Sequence, residues 1–298
     1  MWASIREQLS LVLGYSFTIK DKQTLDGGNI SHVYLISDGI EQYVVKTNSR
    51  DFLVQYLAEE HSLSSLHHTH TLTVPKVILT GQTKSHAFIV LQYLPTTPLR
   101  AEQTSYQLGQ QLAQLHQWGE QKQYGYDDDN FIGATPQPNT WTNKWHQFFA
   151  EQRIGWQLQL LKERGIELVD IDQFVALIKQ RLANHHPKPA LLHGDLWQGN
   201  VGETETGAVC YDPACYWGDR ECDIAMTELF GGFPQSFYAG YQSIWPLHQH
   251  YEQRRPIYHL YHVMNHCYLF GGEYLVQAQA LIDEIHHNHS LCVDSSTK

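Results

Sequence analysis

The strand-forming runs of this 298-residue chain crowd into its first ninety or so positions, and the rest is patterned for helices. Val33-Tyr34-Leu35-Ile36 and Gln42-Tyr43-Val44-Val45-Lys46 are β-rich runs separated by the turn signal Ser37-Asp38-Gly39. Phe52, Tyr56, Leu63 and Leu66 then fall at helical spacing, before the runs Lys76–Leu79, opened by Pro75, and Ala87–Leu91. Beyond Gln92-Tyr93-Leu94-Pro95 the spacing predicts one helix through Leu108, Leu112 and Leu115, with Thr104 as its cap. Further helix faces are marked by Trp141, Trp145, Phe148, Phe149 and Trp156, and by Ile171, Phe174, Val175, Ile178 and Leu182. Only Ala190–Leu192 and Ala208–Tyr211 read as strands in this second part. Strands followed by helices, rather than alternating with them, point to an α+β protein. The expected plan is bilobal. A small antiparallel β-sheet lobe with one helix spans residues 1–94, with its hinge near 92–94, and a larger, mainly helical lobe spans 95–298. A cleft between two lobes is the place to look for a site.

Charge and composition narrow the partners. The formal net charge is −11, from 20 Lys and Arg against 31 Asp and Glu, and no basic stripe offsets it, so nucleic acid is a poor partner. No run of 18 apolar residues suggests a membrane span, and Met1–Ser16 lacks the continuous apolar centre of an export signal. Five cysteines, an odd number without a C-x-x-C pair, fit a reduced cytoplasmic setting. The clusters His67-His68-x-His70 and His286-His287-x-His289 lack a second half at zinc-finger spacing and read as surface histidines. From about Cys292 the chain is expected to fray.

The chemistry is concentrated in His193-Gly194-Asp195-Leu196-Trp197-Gln198-Gly199-Asn200, which follows the strand Ala190–Leu192. Asp195 and Asn200 share one turn, and Asp212 ends the next strand. This spacing suits phosphoryl transfer: one carboxylate orients an attacking hydroxyl, while an amide and a second carboxylate hold Mg²⁺ against the phosphates of ATP. Asp195 is therefore the expected catalytic residue, and Asn200 and Asp212 are the expected metal ligands. His193 reads as a brace of the loop. Lys46 ends an apolar strand, where a kinase needs its phosphate-pairing lysine, and Glu59 on the next helix can hold its ammonium. The turn Gly27-Gly28-Asn29-Ile30-Ser31 precedes Lys46, and its backbone N–H groups can cradle phosphates. Gln92, Tyr93 and Leu94 are the expected hinge contacts for adenine.

With these parts in this order, the chain resembles the fructosamine/ketosamine 3-kinases, relatives of aminoglycoside and choline kinases in the protein-kinase-like fold. The resemblance runs over nearly the whole length. Its specific pieces are Gly27-Gly28-x-Ile30-Ser31, Asp129-Asn130-Phe131-Ile132-Gly133, Pro136-Gln137-x-Asn139-x-Trp141, Phe148–Arg153, His193–Asn200, Asp212–Glu221 and Glu228–Phe233. It implies ATP-dependent phosphorylation of the C3 hydroxyl of ketosamines (ribulosamine, erythrulosamine or fructosamine), on small amines or glycated proteins. The 3-phosphate decomposes and frees the amine, so the outcome is deglycation. Many relatives carry Cys where Asn29 stands here, so no redox switch is expected in that loop. As walls for the substrate, Trp197 and Trp217 can pack an aromatic face on a sugar or amine stem, with Asp219 near the amine and His266 at the back. Arg220 is expected to pair with Asp219 or Glu221, and Asp223 to cap the helix that follows. The alternatives are a kinase for another amino-alcohol or an aminoglycoside, and a noncatalytic kinase-like binding module.

Overall fold

The computed structural model describes residues 1–25 and 30–295. It opens with helix α1 (Trp2–Leu13), followed by strands β1 (Asp21–Leu25), β2 (His32–Ser37) and β3 (Gln42–Ser49). Helix α2 (Leu53–Thr69) precedes β4 (Val77–Gln82) and β5 (His86–Gln92). The five strands form one antiparallel sheet in the order β1-β2-β3-β5-β4.

The burial of β3 shows how the sheet is covered. Tyr43, Val45 and Thr47 are buried on one face, and Val44 and Lys46 lie on the other, as the two-residue period of a strand requires. The Tyr43 face packs with Ile36, Phe88 and Val90 against Ile5 and Leu9 of α1. Across the sheet, Ala87, Ile89 and Leu91 of β5 join Tyr56, Leu63 and Leu66 of α2. Strand β5 is thus buried on both faces, which is why Ala87–Leu91 is an unbroken apolar run rather than an alternating one. One helix was expected in this region and two are present; α1 offers the sheet only Ile5 and Leu9 as fully buried residues, too sparse a stripe to mark a helix.

The chain then runs through β6 (Thr97–Pro98), α3 (Glu102–Gln117), β7 (Asn130–Ile132), β8 (Thr135–Gln137) and α4 (Trp145–Phe149). A π-helical turn, Ala150–Gly155, leads into α5 (Trp156–Glu163), then α6 (Ile171–Leu182) and β9 (Ala190–Leu192). Next come β10 (Val201–Thr204), β11 (Gly207–Cys210), β12 (Tyr216–Gly218), α7 (Glu221–Glu228), α8 (Gln235–Ile244), α9 (Tyr251–Phe270) and α10 (Glu273–Ser295). Helices α3 and α8 cross so closely that a side chain on Gly109 would start 2.0 Å from the carbonyl oxygen of Phe237. Residues of α2 and β5 lie in the same hydrophobic core as α3, α7 and α9, so packing continues across Gln92–Leu94.

Several expectations are corrected. Seven strands, not two, follow residue 95 among the described residues; they are two to four residues long, too short to show a period. Trp141 precedes its helix, beside the isolated bridge between Tyr124 and Thr142. Thr104 lies inside α3, and its hydroxyl donates to Glu203 Oε1 (2.7 Å). Glu203, from β10, is the group that caps α3, with Oε2 accepting from the N–H groups of Arg100 (3.0 Å) and Ala101 (3.1 Å). The expected frayed tail begins inside α10, which continues to Ser295; residues 296–298 lie outside the described residues.

Candidate active site

A cleft of about 420 Å³ opens between α2 and the loop His193–Asn200, and it is lined by Lys46, Glu59, Asp195, Asn200 and Asp212 among others. Residues separated by as many as 166 positions meet there. Lys46 Nζ donates to Glu59 Oε1 at 2.6 Å and to Asp212 Oδ1, so one ammonium is held by two carboxylates. Burial alone would lower the Lys46 pKa, but the Asp212 and Glu59 charges outweigh it and raise the pKa, keeping the lysine cationic. Burial raises the Glu59 carboxyl, and the Lys46 charge opposes that shift. The Asp212 side chain is half exposed, with Oδ1 on Lys46, and its backbone is left-handed at φ 51°. A non-glycine residue in that region marks a strained position of the kind found at functional sites.

The loop carrying Asp195 is fastened from beneath. Asp223 is buried inside α7; its Oδ2 accepts from the His193 N–H and its Oδ1 from the Gly194 N–H, each at 2.8 Å. This overturns the expectation that Asp223 caps its helix. Asp223 Oδ2 also takes a hydrogen bond from His116 Nε2 (3.1 Å), and His116 Nδ1 meets the Tyr241 hydroxyl (2.8 Å). A carboxylate can only accept, and burial holds His116 below its ordinary pKa, so the neutral ring donates from Nε2 and accepts from Tyr241 at Nδ1. Burial would raise Asp223, but the His116 hydrogen bond and the two loop N–H groups hold it low and ionised. His193 is buried, held below its ordinary pKa by that burial, and its Nδ1 accepts from the Asp195 N–H at 3.3 Å, so it braces the loop. Gly194 has φ 85°, and a Cβ there would lie 2.0 Å from the Ala214 carbonyl oxygen, so a side chain is excluded where this loop touches the segment after Asp212.

Asn200 Nδ2 donates to Asp195 Oδ2 (3.0 Å) and to the Asp195 carbonyl (2.9 Å), which turns its Oδ1 away from Asp195. Burial pushes Asp195 up to about 8, the Asp212 charge adds to this, and the Asn200 hydrogen bond opposes it. The carboxyl is therefore poised near neutrality, where a group can both take and release a proton. Asn200 Oδ1 and the second oxygen of Asp212 are oxygen donors on two cleft-lining residues, the ligand type a hard divalent cation takes.

The segment after Asp212 is braced by motifs far away in sequence. Asn130 Nδ2 donates to the Cys215 carbonyl (2.7 Å), and Gln137 Nε2 to the Ala214 carbonyl (3.2 Å) and to Asn130 Oδ1 (2.7 Å). Asn139 Nδ2 also donates to Asn130 Oδ1 (2.9 Å), and Arg153 Nη2 donates to Asn139 Oδ1 (2.6 Å) while its guanidinium lies 4.1 Å from the Tyr216 ring centre. Asn130, Gln137, Asn139 and Arg153, from Asp129–Gly133, Pro136–Trp141 and Phe148–Arg153, thus make one buried network under the Asp212 segment.

Of the other expected site residues, Ile30, Ser31, Trp197 and His266 line the cleft. Ser31 Oγ accepts from the Tyr56 hydroxyl at 2.9 Å. Gly27, Gly28 and Asn29 lie outside the described residues. Gln92, Tyr93 and Leu94 are not among the cleft-lining residues, and the Gln92 N–H already bonds the Lys76 carbonyl (2.8 Å). Trp217 does not line the cleft either; its ring stacks on Trp118, with centroids 6.0 Å apart. Asp219 is buried away from the cleft, accepting from the Tyr258 hydroxyl and bonded to His185 Nε2, each at 2.6 Å. Trp217, expected as a substrate wall, is thus partly buried against Trp118, and Asp219, expected near the substrate amine, is buried among His185 and Tyr258. Arg220 pairs with neither Asp219 nor Glu221; it donates to the carbonyls of Trp245 (2.8 Å) and Pro246 (2.6 Å), and Glu221 is instead gripped by Arg254 through two 2.7 Å bonds. His185, Asp219 and Glu221 come close enough to suggest a metal site, but Arg254 already neutralises Glu221. Phe230, Phe270 and Tyr274 line the cleft and were missed in the sequence. No spacing connects them to Asp195, although Phe230 falls within the singled-out stretch Glu228–Phe233.

Comparison with known proteins fits this geometry. A family profile described as fructosamine kinase matches residues 1–288. A "probable ketoamine kinase" of Vibrio parahaemolyticus is 59% identical over 285 residues, covering 96% of this chain and 99% of that protein. The crystal structure of a fructosamine-3-kinase candidate from Haemophilus somnus 129PT superposes with a TM-score of 0.92 at 38% identity, covering 96% of this chain and 97% of the other. The aminoglycoside phosphotransferase APH(4)-Ia shares the protein-kinase-like fold, with a TM-score of 0.64 at 16% identity over 96% of this chain and 98% of that one. No described helix is long and apolar enough to cross a membrane.

Proposed function

Because the chain belongs to the fructosamine kinase family, and is therefore a phosphotransferase acting on hydroxyl groups, we propose that it transfers phosphate from ATP to the C3 hydroxyl of ketosamines. Ribulosamine, erythrulosamine and fructosamine are the acceptors considered, on small amines or on glycated proteins. Breakdown of the 3-phosphate would then release the amine. The observation that carries this reading is the meeting of Lys46, Glu59, Asp195, Asn200 and Asp212 around one cleft.

In this reading, residues 1–94 hold the nucleotide and residues 95–298 supply the acceptor side. Lys46, fixed by Glu59, pairs with the nucleotide phosphates, and its contact with Asp212 gives way as the phosphates enter. Backbone N–H groups of Gly27–Ser31 would cradle the phosphates, and Gln92–Leu94 would contact adenine. Asn200 and Asp212 would hold Mg²⁺, since both line the cleft and each can offer an oxygen donor. When bound, the cation would neutralise phosphate charge as it develops. Asp195 orients the acceptor hydroxyl and takes its proton, a role its pKa of about 8 suits. Trp197 and His266 border the acceptor. A cation beside Asp212 would also remove part of the charge that raises Asp195, which makes Asp195 a readier base.

The test is ADP release from ATP with ribulosamine, erythrulosamine, fructosamine and an aminoglycoside in parallel. Turnover with a ketosamine, lost in Asp195→Asn while ATP still binds, is the expected result. Turnover with the aminoglycoside alone, or full activity in Asp195→Asn, would overturn the reading.

A further inference from the structure

The cleft has two chemically different ends. Lys46, Glu59, Asp195, Asn200 and Asp212 occupy one; the rings of Trp197, Phe230, His266, Phe270 and Tyr274 occupy the other. His266 is the centre of this second group. Its ring lies 4.2 Å from that of Phe230, 5.2 Å from Tyr274, 5.6 Å from Phe270 and 6.3 Å from Trp197, the last edge-on at 89°. No Asp, Glu, Lys or Arg lines the aromatic end among the described residues. Burial lowers the pKa of His266 and outweighs the opposing hydrogen bond from its Nδ1 to the His262 carbonyl (3.0 Å), which favours the neutral ring. This end can therefore offer ring faces and apolar contact, but no ion pair.

Ordinary core packing does not account for it. Phe270, the last residue of α9, is 51% exposed at the cleft mouth. Phe230 has a left-handed backbone, φ 53°, which a bulky side chain avoids, and it is followed by Gly231 and Gly232 at φ 105° and 70°. The turn is held in place by Gln198, whose Nε2 donates to the Gly232 carbonyl, so the loop bearing Asp195 and the turn bearing Phe230 are tied to each other. A strained residue kept in position by its surroundings, with its ring aimed into a cleft, points to a ligand-facing task. Trp197 stands two residues after Asp195 and joins the two ends.

We propose that the Trp197, Phe230, His266, Phe270 and Tyr274 wall receives the substituent on the acceptor's nitrogen and selects alkyl or aryl substituents over polar ones. The proposal rests on the ketosamine kinase reading and deepens it. In a ketosamine the nitrogen is carried by C1 and the reacting hydroxyl by C3, so a hydroxyl held at Asp195 places the nitrogen substituent beside Trp197. The mouth at Phe270 is open, which leaves room for a substituent that continues into solvent. Recognition by apolar burial alone discriminates on the order of tenfold or more between an apolar group and a polar one of similar size.

The experiment is steady-state kinetics on ribulosamines that differ only in the nitrogen substituent: butyl and benzyl against 2-hydroxyethyl and carboxymethyl. The wild-type kcat/KM is expected to favour the apolar pair by about tenfold or more. That ratio should collapse toward unity in Phe270→Ala and in Phe230→Gly, the second of which removes the ring while suiting the left-handed backbone. Reading a ratio within each variant cancels any general loss of active enzyme. Equal turnover of all four by the wild type, or a ratio that both variants preserve, would overturn the subsite and leave the kinase reading standing. No turnover of any ketosamine would overturn the kinase reading, and the subsite with it.

Discussion

Replacing Asp223 with Asn removes one negative charge from a residue that touches no substrate, and the geometry indicates what that does. The carboxylate satisfies three buried donors: the N–H groups of His193 and Gly194 and His116 Nε2. An amide keeps one oxygen, which can serve Gly194. Its NH₂ then faces the His193 N–H and His116. His116 can change tautomer, accepting at Nε2 and donating from Nδ1 to Tyr241, so one donor is accommodated. The His193 N–H is left without an acceptor, at about 1–3 kcal/mol, and the Gly194 bond loses its charge assistance, at roughly 1 kcal/mol more. The total of about 2–4 kcal/mol is a sizeable share of a typical folding free energy of about 5–15 kcal/mol. For a chain of this size it corresponds to a drop in Tm of about 3–6 °C. Because Asp195 follows Gly194 directly, relaxation of the loop by about 1 Å is expected to lower kcat by about a hundredfold. The KM for ATP should move far less, since Lys46 and Glu59 do not contact Asp223.

Thermal unfolding and ADP-release kinetics on the purified variant measure both effects. The pH dependence supplies a separate check. Asp223 is held below the ordinary 3.8 in the folded state, so its ionised form contributes stability above that pH, and the contribution is lost as pH falls through the depressed value. The Tm gap between wild type and Asp223→Asn should therefore narrow on acidification. A variant with unchanged Tm and a kcat within about twofold of wild type would refute the anchoring argument.

Gly194→Ala should destabilise the fold by more than about 2 kcal/mol and reduce kcat, because the added Cβ meets the Ala214 carbonyl at 2.0 Å and the backbone is left-handed; urea unfolding with parallel kinetics checks it. Glu203→Gln should lower Tm at neutral pH by weakening the cap on α3. Hydrogen bonds from Arg100, Thr104 and Ala101 hold the Glu203 pKa below 4.5, so the difference from wild type should fade as pH drops below that value, in a Tm series across pH.

The sequence by itself determined the order of the parts. A strand beginning at Gln42 alternates buried and half-buried residues, so the two-residue period alone puts Lys46 on the face opposite Tyr43 and Val45. The turn after Ala190–Leu192 likewise had to present Asp195 and Asn200 close together, because five residues of tight turn cannot separate them far. Such features are local, and chain geometry sets them. Tertiary structure decided what approaches from a distance. Asp223 looked like a helix cap because a carboxylate near a helix start usually serves its own backbone; here the folded chain delivers two loop N–H groups to it from thirty residues away. Trp217 was expected as a substrate wall because an aromatic face can pack on a sugar or amine stem, and Asp219 as a carboxylate near the amine. Strand β12 pairs with β9 and turns Trp217 onto Trp118, while Asp219 is drawn to His185 and Tyr258 in the interior. The aromatic end of the cleft comes from the α7–α8 turn, the end of α9 and the start of α10. Apolar contact carries no sequence spacing of its own, so only the packing of those elements brings Phe230, Phe270 and Tyr274 to face Asp195.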